Sequence, residues 1–126
     1  MKNTLPVLAV AVGLLLGAGP MFAHHSAAIH DSEHPITLKG TVTKLAFFNP
    51  HVRIYFQVKD ENDNVAKWIA ATATPQRLHR AGWNAKTLNP GDEISITCDP
   101  ARDGRKICSV RRLVGPNGKV LREGAE

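Results

Sequence analysis

At 126 residues, with 16 Lys and Arg against 11 Asp and Glu, the chain carries a formal charge of +5 and has room for one domain and not two. The hydrophobic share of 43% is inflated by the first segment, so the remainder is poorer in apolar residues and builds a modest core. The two cysteines are not spaced as a Cys-x-x-Cys knuckle, which argues against a cysteine metal site.

The first segment reads as a secretory signal peptide over residues 1–23. Lys2 supplies the positive start, and residues 5–16 are apolar apart from Pro6 and Gly13. Gly17, Ala18, Gly19 and Pro20 end the run, and small Ala23 precedes an abruptly polar stretch. The run is short for a spanning helix, which needs roughly 20 apolar residues; an uncleaved anchor is the alternative. No cysteine near the cut supports a lipid anchor, and no later segment is apolar enough to span. The expectation is therefore a periplasmic protein with no stable membrane anchor after cleavage.

Residues 24–35 are polar, rich in histidine and without period, and are read as an extended arm. Residues 36–47 alternate, with Leu38, Val42 and Ala46 on one side and Lys39, Thr41 and Thr43 on the other, and Gly40 suggests a bend or bulge. After the Asn49-Pro50 turn comes the clearest strand, residues 51–59. Val52, Ile54, Phe56 and Val58 face one way; His51, Arg53, Tyr55, Gln57 and Lys59 face the other. Residues 60–64 form a hairpin loop and residues 65–71 a third strand. Thr74 then caps a two-turn helix opened by Pro75 and closed by Gly82, with Leu78 and Ala81 as its apolar edge and Trp83 beneath.

The turn Asn89-Pro90-Gly91-Asp92 leads into strand four, where Ile94, Ile96 and Cys98 alternate with polar residues. Strand five is residues 107–114, with Cys108 and Val110 inside. A three-residue loop Arg102-Asp103-Gly104, with Gly104 left-handed, would set Ala101 opposite Arg105 and Cys98 opposite Cys108. That register permits a Cys98–Cys108 disulfide, as an oxidising compartment favours; two buried free thiols are the alternative. Residues 121–126 are expected to be a loose tail.

The order β-β-β-α-β-β over residues 36–120 predicts a mostly β domain: a five-stranded OB-fold-like barrel with one short helix. An antiparallel meander with a packed helix is the alternative. In the barrel, the loops at residues 48–51 and 101–106 flank the usual binding face.

Ala23-His24-His25-Ser26, Thr37-Leu38-Lys39-Gly40-Thr41-Val42, Asn49-Pro50-His51-Val52, Ala81-Gly82-Trp83 and Pro90-Gly91-Asp92 occur in that order. Together they resemble a family of short exported bacterial proteins of unknown function, over nearly all of the chain after the cut. The resemblance implies an OB-type barrel with a removed signal peptide, and implies no activity. Ala27 and His30 depart from the pattern, standing where aromatic residues are expected.

All six histidines, His24, His25, His30, His34, His51 and His79, follow the signal. Cleavage after Ala23 would give His24 a free α-amino group, and that amine with its own imidazole can chelate one metal. His25, or His51 after Asn49-Pro50, would complete a nitrogen set of the kind copper(II) prefers. A cut one residue earlier would place a histidine third, which also suits copper(II) or nickel(II); a solvated, non-binding arm is the competing reading.

Catalysis finds little support. Asp60, Glu61 and Asp63 are turn residues, and no serine elbow, phosphate loop or His-Glu-x-x-His is present. The expected function is thus non-enzymatic binding of a divalent metal, copper first, at His24, His25 and His51. The alternative is docking of a partner protein or anionic glycan on a basic barrel face bearing Arg53, Tyr55 and Arg105, with Arg102, Lys106, Arg111 and Arg112 nearby. Such faces bind single-stranded nucleic acid in other barrels, but export argues against that partner.

Overall fold

The computed structural model describes residues 29–124; the segment read as a signal and the first residues of the arm, with His24 and His25, lie outside them. No helix among the described residues is long and apolar enough to cross a membrane.

Six strands follow the expected order. They are β1 (Ile36–Ala46), β2 (Arg53–Lys59), β3 (Val65–Ala71), β4 (Glu93–Pro100), β5 (Ile107–Val114) and β6 (Val120–Glu123). Helix α1 (Pro75–Arg80) lies between β3 and β4. Strand β1 is antiparallel to both β2 and β4, β4 to β5, and β2 to β3. The first five strands close into a barrel because β3 also runs parallel to β5, pairing Ile69 with Ile107 and Ala71 with Ser109. That parallel closure and the β1–β4 pairing set the chain in the OB-type topology and rule out a plain meander.

Alternation explains the core. Val52, Ile54 and Phe56 are sealed, as are Ile96, Cys98, Cys108 and Val110. Each large apolar side chain so removed from water contributes about 1.5–3 kcal/mol. Helix α1 adds to the core through one residue. Thr74 Oγ1 accepts from the Arg77 amide at 3.3 Å, Pro75 opens the helix, and Leu78 is its buried residue. Ala81, expected on the apolar edge, is exposed; the helix is only six residues long and ends before it. Trp83 packs beneath as expected, and its Nε1–H donates to the Leu121 carbonyl at 3.2 Å.

Three expectations need correction. The bulge in β1 falls between Val42 and Lys44, not at Gly40. Gly40 is required for a different reason: a Cβ there would overlap the Gln57 carbonyl oxygen and lie 2.9 Å from Phe56 Cδ2. Residues 120–123 are not a tail but strand β6, paired to β5 through Arg112, Leu113 and Val114. The β4–β5 register is shifted by two residues. Ala101 donates to the Ile107 carbonyl at 3.0 Å, so Arg105 and Lys106 belong to the loop, and Cys98 faces Val110 while Pro100 faces Cys108. A shift of two keeps every side chain on its face. Cys98 and Cys108 remain diagonal neighbours inside the barrel and are joined by a disulfide, with Cα atoms 5.6 Å apart.

Candidate functional site

The outward side of β1, β2 and β3 is a set of cross-strand rows. Arg53 faces Ala46 and Ala71; Tyr55 faces Lys44 and Ile69; Gln57 faces Thr41 and Lys67. The β1 bulge decides the middle row. Strict alternation would point Lys44 inward beside Val42; the extra residue turns it out, and its Nζ lies 5.8 Å from the Tyr55 ring centroid. At one edge the β4–β5 loop adds Lys106, whose Nζ lies 5.4 Å from the Trp68 ring centroid. A depression of about 470 Å³ opens here, lined by Thr43, Tyr55, Gln57, Lys67, Ile69 and Lys106.

Arg53 and Tyr55 therefore meet on one face, and Arg105 does not join them. Gly104 takes φ +81° as expected, but Asp103 draws Arg105 back across the loop. Arg105 Nε lies 2.6 Å from Asp103 Oδ2, and its amide donates to Oδ1 at 3.1 Å. These bonds hold the Asp103 carboxyl below its ordinary value of 3.8.

The other arginines read as part of the basic face are likewise engaged. Arg111 lies 2.6 Å from Asp99, Arg112 3.4 Å from Glu123, and Arg102 3.7 Å from Asp31. Among the described residues, no carboxylate lies within ion-pairing distance of Lys44, Arg53, Lys67 or Lys106. The sequence reading missed Lys44 and Lys67. A lysine on the inner register of an otherwise alternating strand was the available signal for the first. Simple alternation around Ile69 was the signal for the second.

The arm is clasped to the barrel from Ile29 onward. His30 bridges to Ala101, the Asp31 amide donates to the Pro100 carbonyl at 2.8 Å, and the Arg102 amide to the Ile29 carbonyl at 3.0 Å. Arg111 donates to the Ser32 carbonyl at 2.6 Å. The Asp31 carboxylate accepts from His34 Nδ1 at 3.0 Å, and this bond, with further help from the Glu33 amide and Arg102, holds its pKa below 3.8. The arm thus runs antiparallel to the end of β4, and Ile29 stands beside the β4–β5 loop.

Of the proposed metal ligands only His51 is among the described residues. It sits between the cis Asn49–Pro50 bond and β2, with its Nδ1 3.0 Å from the Thr72 carbonyl oxygen. A carbonyl only accepts, so Nδ1 is the donor in this bond. No group of three or more His, Cys, Asp or Glu side chains placed to hold a metal occurs among the described residues. His79 is exposed, donates from Nδ1 to the Trp83 carbonyl at 2.8 Å and lies against Phe47, with ring centroids 6.0 Å apart.

No curated protein and no solved structure matches the chain. Residues 11–109 match the model of a family of unknown function, DUF6152, ending inside β5. That span is most of the chain, and the protein belongs to this family of unknown function.

Proposed function

We propose that this protein is a non-enzymatic binding module of the periplasm, and that its ligand is an anionic partner seated on the β1–β2–β3 face. One observation carries the reading: two groups of basic side chains differ in whether they face an acid. Arg102, Arg105, Arg111 and Arg112 each face a carboxylate, whereas Lys44, beside the Tyr55 ring, Lys106, beside the Trp68 ring, and Arg53 and Lys67 meet none among the described residues. An uncompensated cluster of like charge is disfavoured within a free protein and becomes favourable when an anion covers it. The face is also where barrels of this topology take their ligands.

The test is retention on immobilised heparin, used as a generic polyanion. The double substitution Arg53→Glu with Lys67→Glu should elute at much lower salt than Lys86→Glu with Lys119→Glu, which changes net charge equally but off this face. Equal shifts for the two variants would mean that only net charge matters and would defeat the reading.

A second reading has its own observation. The His51 ring is oriented by a backbone carbonyl through Nδ1, which is how protein frameworks commonly present Nε2 to a metal. Copper(II), held by the amino terminus and imidazole of His24 with His25 and His51, is the metal such a nitrogen set selects. Calorimetric titration of copper(II) into processed protein, tagged only at the C-terminus, tests it. Tight one-to-one binding should be lost with one extra residue before His24 and weakened in His51→Ala; weak multi-site binding indifferent to both changes would refute it.

A further inference from the structure

The barrel closes along only part of β3. Ile69 donates its amide to the Lys106 carbonyl at 3.0 Å, so its backbone polar groups point away from β2 and toward β5. Backbone direction repeats every second residue, and the β2–β3 register is unbroken, so the amides and carbonyls of Val65 and Lys67 point to the same side. Pairing with β5 starts only at Ile69, and among the described residues no backbone group meets Val65 or Lys67 there. Val65 is 49% exposed. An edge of two amides and two carbonyls is thus open, in line with β5 and ending where β5 begins. Such an edge is a template for an added strand.

The surroundings decide which strand. A strand lying there parallel to β3 extends the line of β5 backward and must stop short of Ile69, because Lys106 and Ile107 occupy that place. It therefore brings a chain end, its C-terminus, to the Lys106 end of the edge. Lys67 and Lys106 stand there with no carboxylate within ion-pairing distance among the described residues, and the Lys106 ammonium is placed by the Trp68 ring, 5.4 Å from its centroid. The loop at the other end carries Asp60, Glu61 and Asp63. A terminal carboxylate at the lysine end meets complementary charge and a terminal amine does not, which sets the direction. In parallel register the last residue lies level with Ala66: its amide reaches the Val65 carbonyl, and its carboxylate accepts from the Lys67 amide. Residues level with each other share a face, so its side chain turns inward beside half-buried Val58, Ala66 and Trp68 and must be apolar. The same lysines repel a second copy of this edge. We propose that β3 takes an extended peptide as an added parallel strand along Val65 and Lys67, with an apolar last residue and its free carboxylate held by the Lys67 amide and the ammonium groups of Lys67 and Lys106. The inference shares these two lysines with the anionic-face reading and goes beyond it, since it needs neither Arg53 nor Lys44.

The experiment is selection on the full processed chain from random hexapeptides displayed with free C-termini, then fluorescence titration of the strongest peptide found. The same peptide as its C-terminal amide should bind roughly tenfold to a hundredfold more weakly. Binding should slow amide exchange at Val65 and Lys67, whose amides face the edge, more than at Ala66. Val65→Pro removes one edge-facing amide and no β2–β3 bond, so it should abolish binding while thermal melting shows the fold kept. Lys106→Glu should bring the acid down to the level of the amide, and tests the same point without altering the β3 backbone. Arg53→Glu, on the face but away from the edge, should lower retention on heparin and leave peptide affinity unchanged. If no peptide is selected, if acid and amide bind equally, or if exchange at Val65 and Lys67 does not respond, the strand-addition inference falls. Heparin retention that still responds to Arg53→Glu with Lys67→Glu would then leave the anionic-face reading standing. A peptide lost in Val65→Pro, with heparin retention indifferent to those two changes, would uphold the edge and defeat the face.

Discussion

The two sides of this barrel carry similar numbers of cations and use them in opposite ways. On the side of β4, β5 and the arm, the arginines are committed. Arg111 bridges Asp99 and the Ser32 carbonyl, Arg105 closes its own loop on Asp103, and Arg102 faces the Asp31 that clasps the arm. On the side of β1, β2 and β3, the lysines and Arg53 border aromatic rings and hydroxyls and meet no acid among the described residues. The lesson is that net charge describes neither side. A positive group becomes a recognition element only when the fold has not already supplied its partner.

The largest expected effect sharpens this contrast at the stapled side. Replacing Cys98 and Cys108 by Ser removes a cross-link that closes a short loop, with a sequence separation of 10. By the chain-entropy estimate this costs about 2–4 kcal/mol, read by urea unfolding without reductant. A loss below about 1 kcal/mol would show that the β4–β5 register holds without it.

The next test sets one arginine from each side against the other. Arg111→Ala leaves the Asp99 carboxylate, whose side chain is only 13% exposed, without its cation and should cost about 1–3 kcal/mol. Arg53→Ala, which removes an exposed group with no acidic partner among the described residues, should stay within about 0.5 kcal/mol while weakening retention on heparin. Equal stability losses would erase the distinction between the two sides.

The smallest effect concerns the clasp. The Asp31 carboxyl titrates below its ordinary 3.8, because His34 donates to it and Arg102 lies near. A depressed carboxyl stabilises the folded arrangement above 3.8 and loses that contribution as the pH falls through its folded value. Amide exchange at Asp31 and Arg102 should therefore be flat from neutral pH down to about 4 and lose protection below it, once corrected for intrinsic exchange. In Asp31→Asn the acid-dependent step should vanish. A step that persists in that variant would assign the clasp to another group.

Much of the fold was legible because it rests on local alternation. Residues 51–59 read as a strand since Val52, Ile54 and Phe56 recur every second position, and all three are sealed in the core. Thr74 and Pro75 announced the helix start through the capping chemistry observed. What could not be read was the effect of one or two inserted residues. The bulge before Lys44 moved a cation onto the face, and a loop two residues longer than expected set Arg105 against Asp103. Both depend on cross-strand geometry, which periodicity within one strand does not encode. Strand β6 escaped because four residues behind a Gly-Pro-Asn-Gly turn carry too little pattern; its pairing to β5 and the Trp83 bond to Leu121 define it.

The parallel pairing of β3 with β5 has a consequence for the order in which the molecule is made. Ile69 waits for Ile107, 38 residues further along the chain, before its outer edge is hydrogen-bonded. Strands β1 to β3 can form a local meander as soon as they emerge, but that meander ends in the unpaired edge of Val65–Ala71 until β5 has been synthesised. Such an edge is a template for pairing with other chains, and a closure this distant in sequence slows folding. The nascent chain is therefore most vulnerable to association in the interval between completing β3 and completing β5, and a chain truncated before Ile107 should aggregate where the full chain does not.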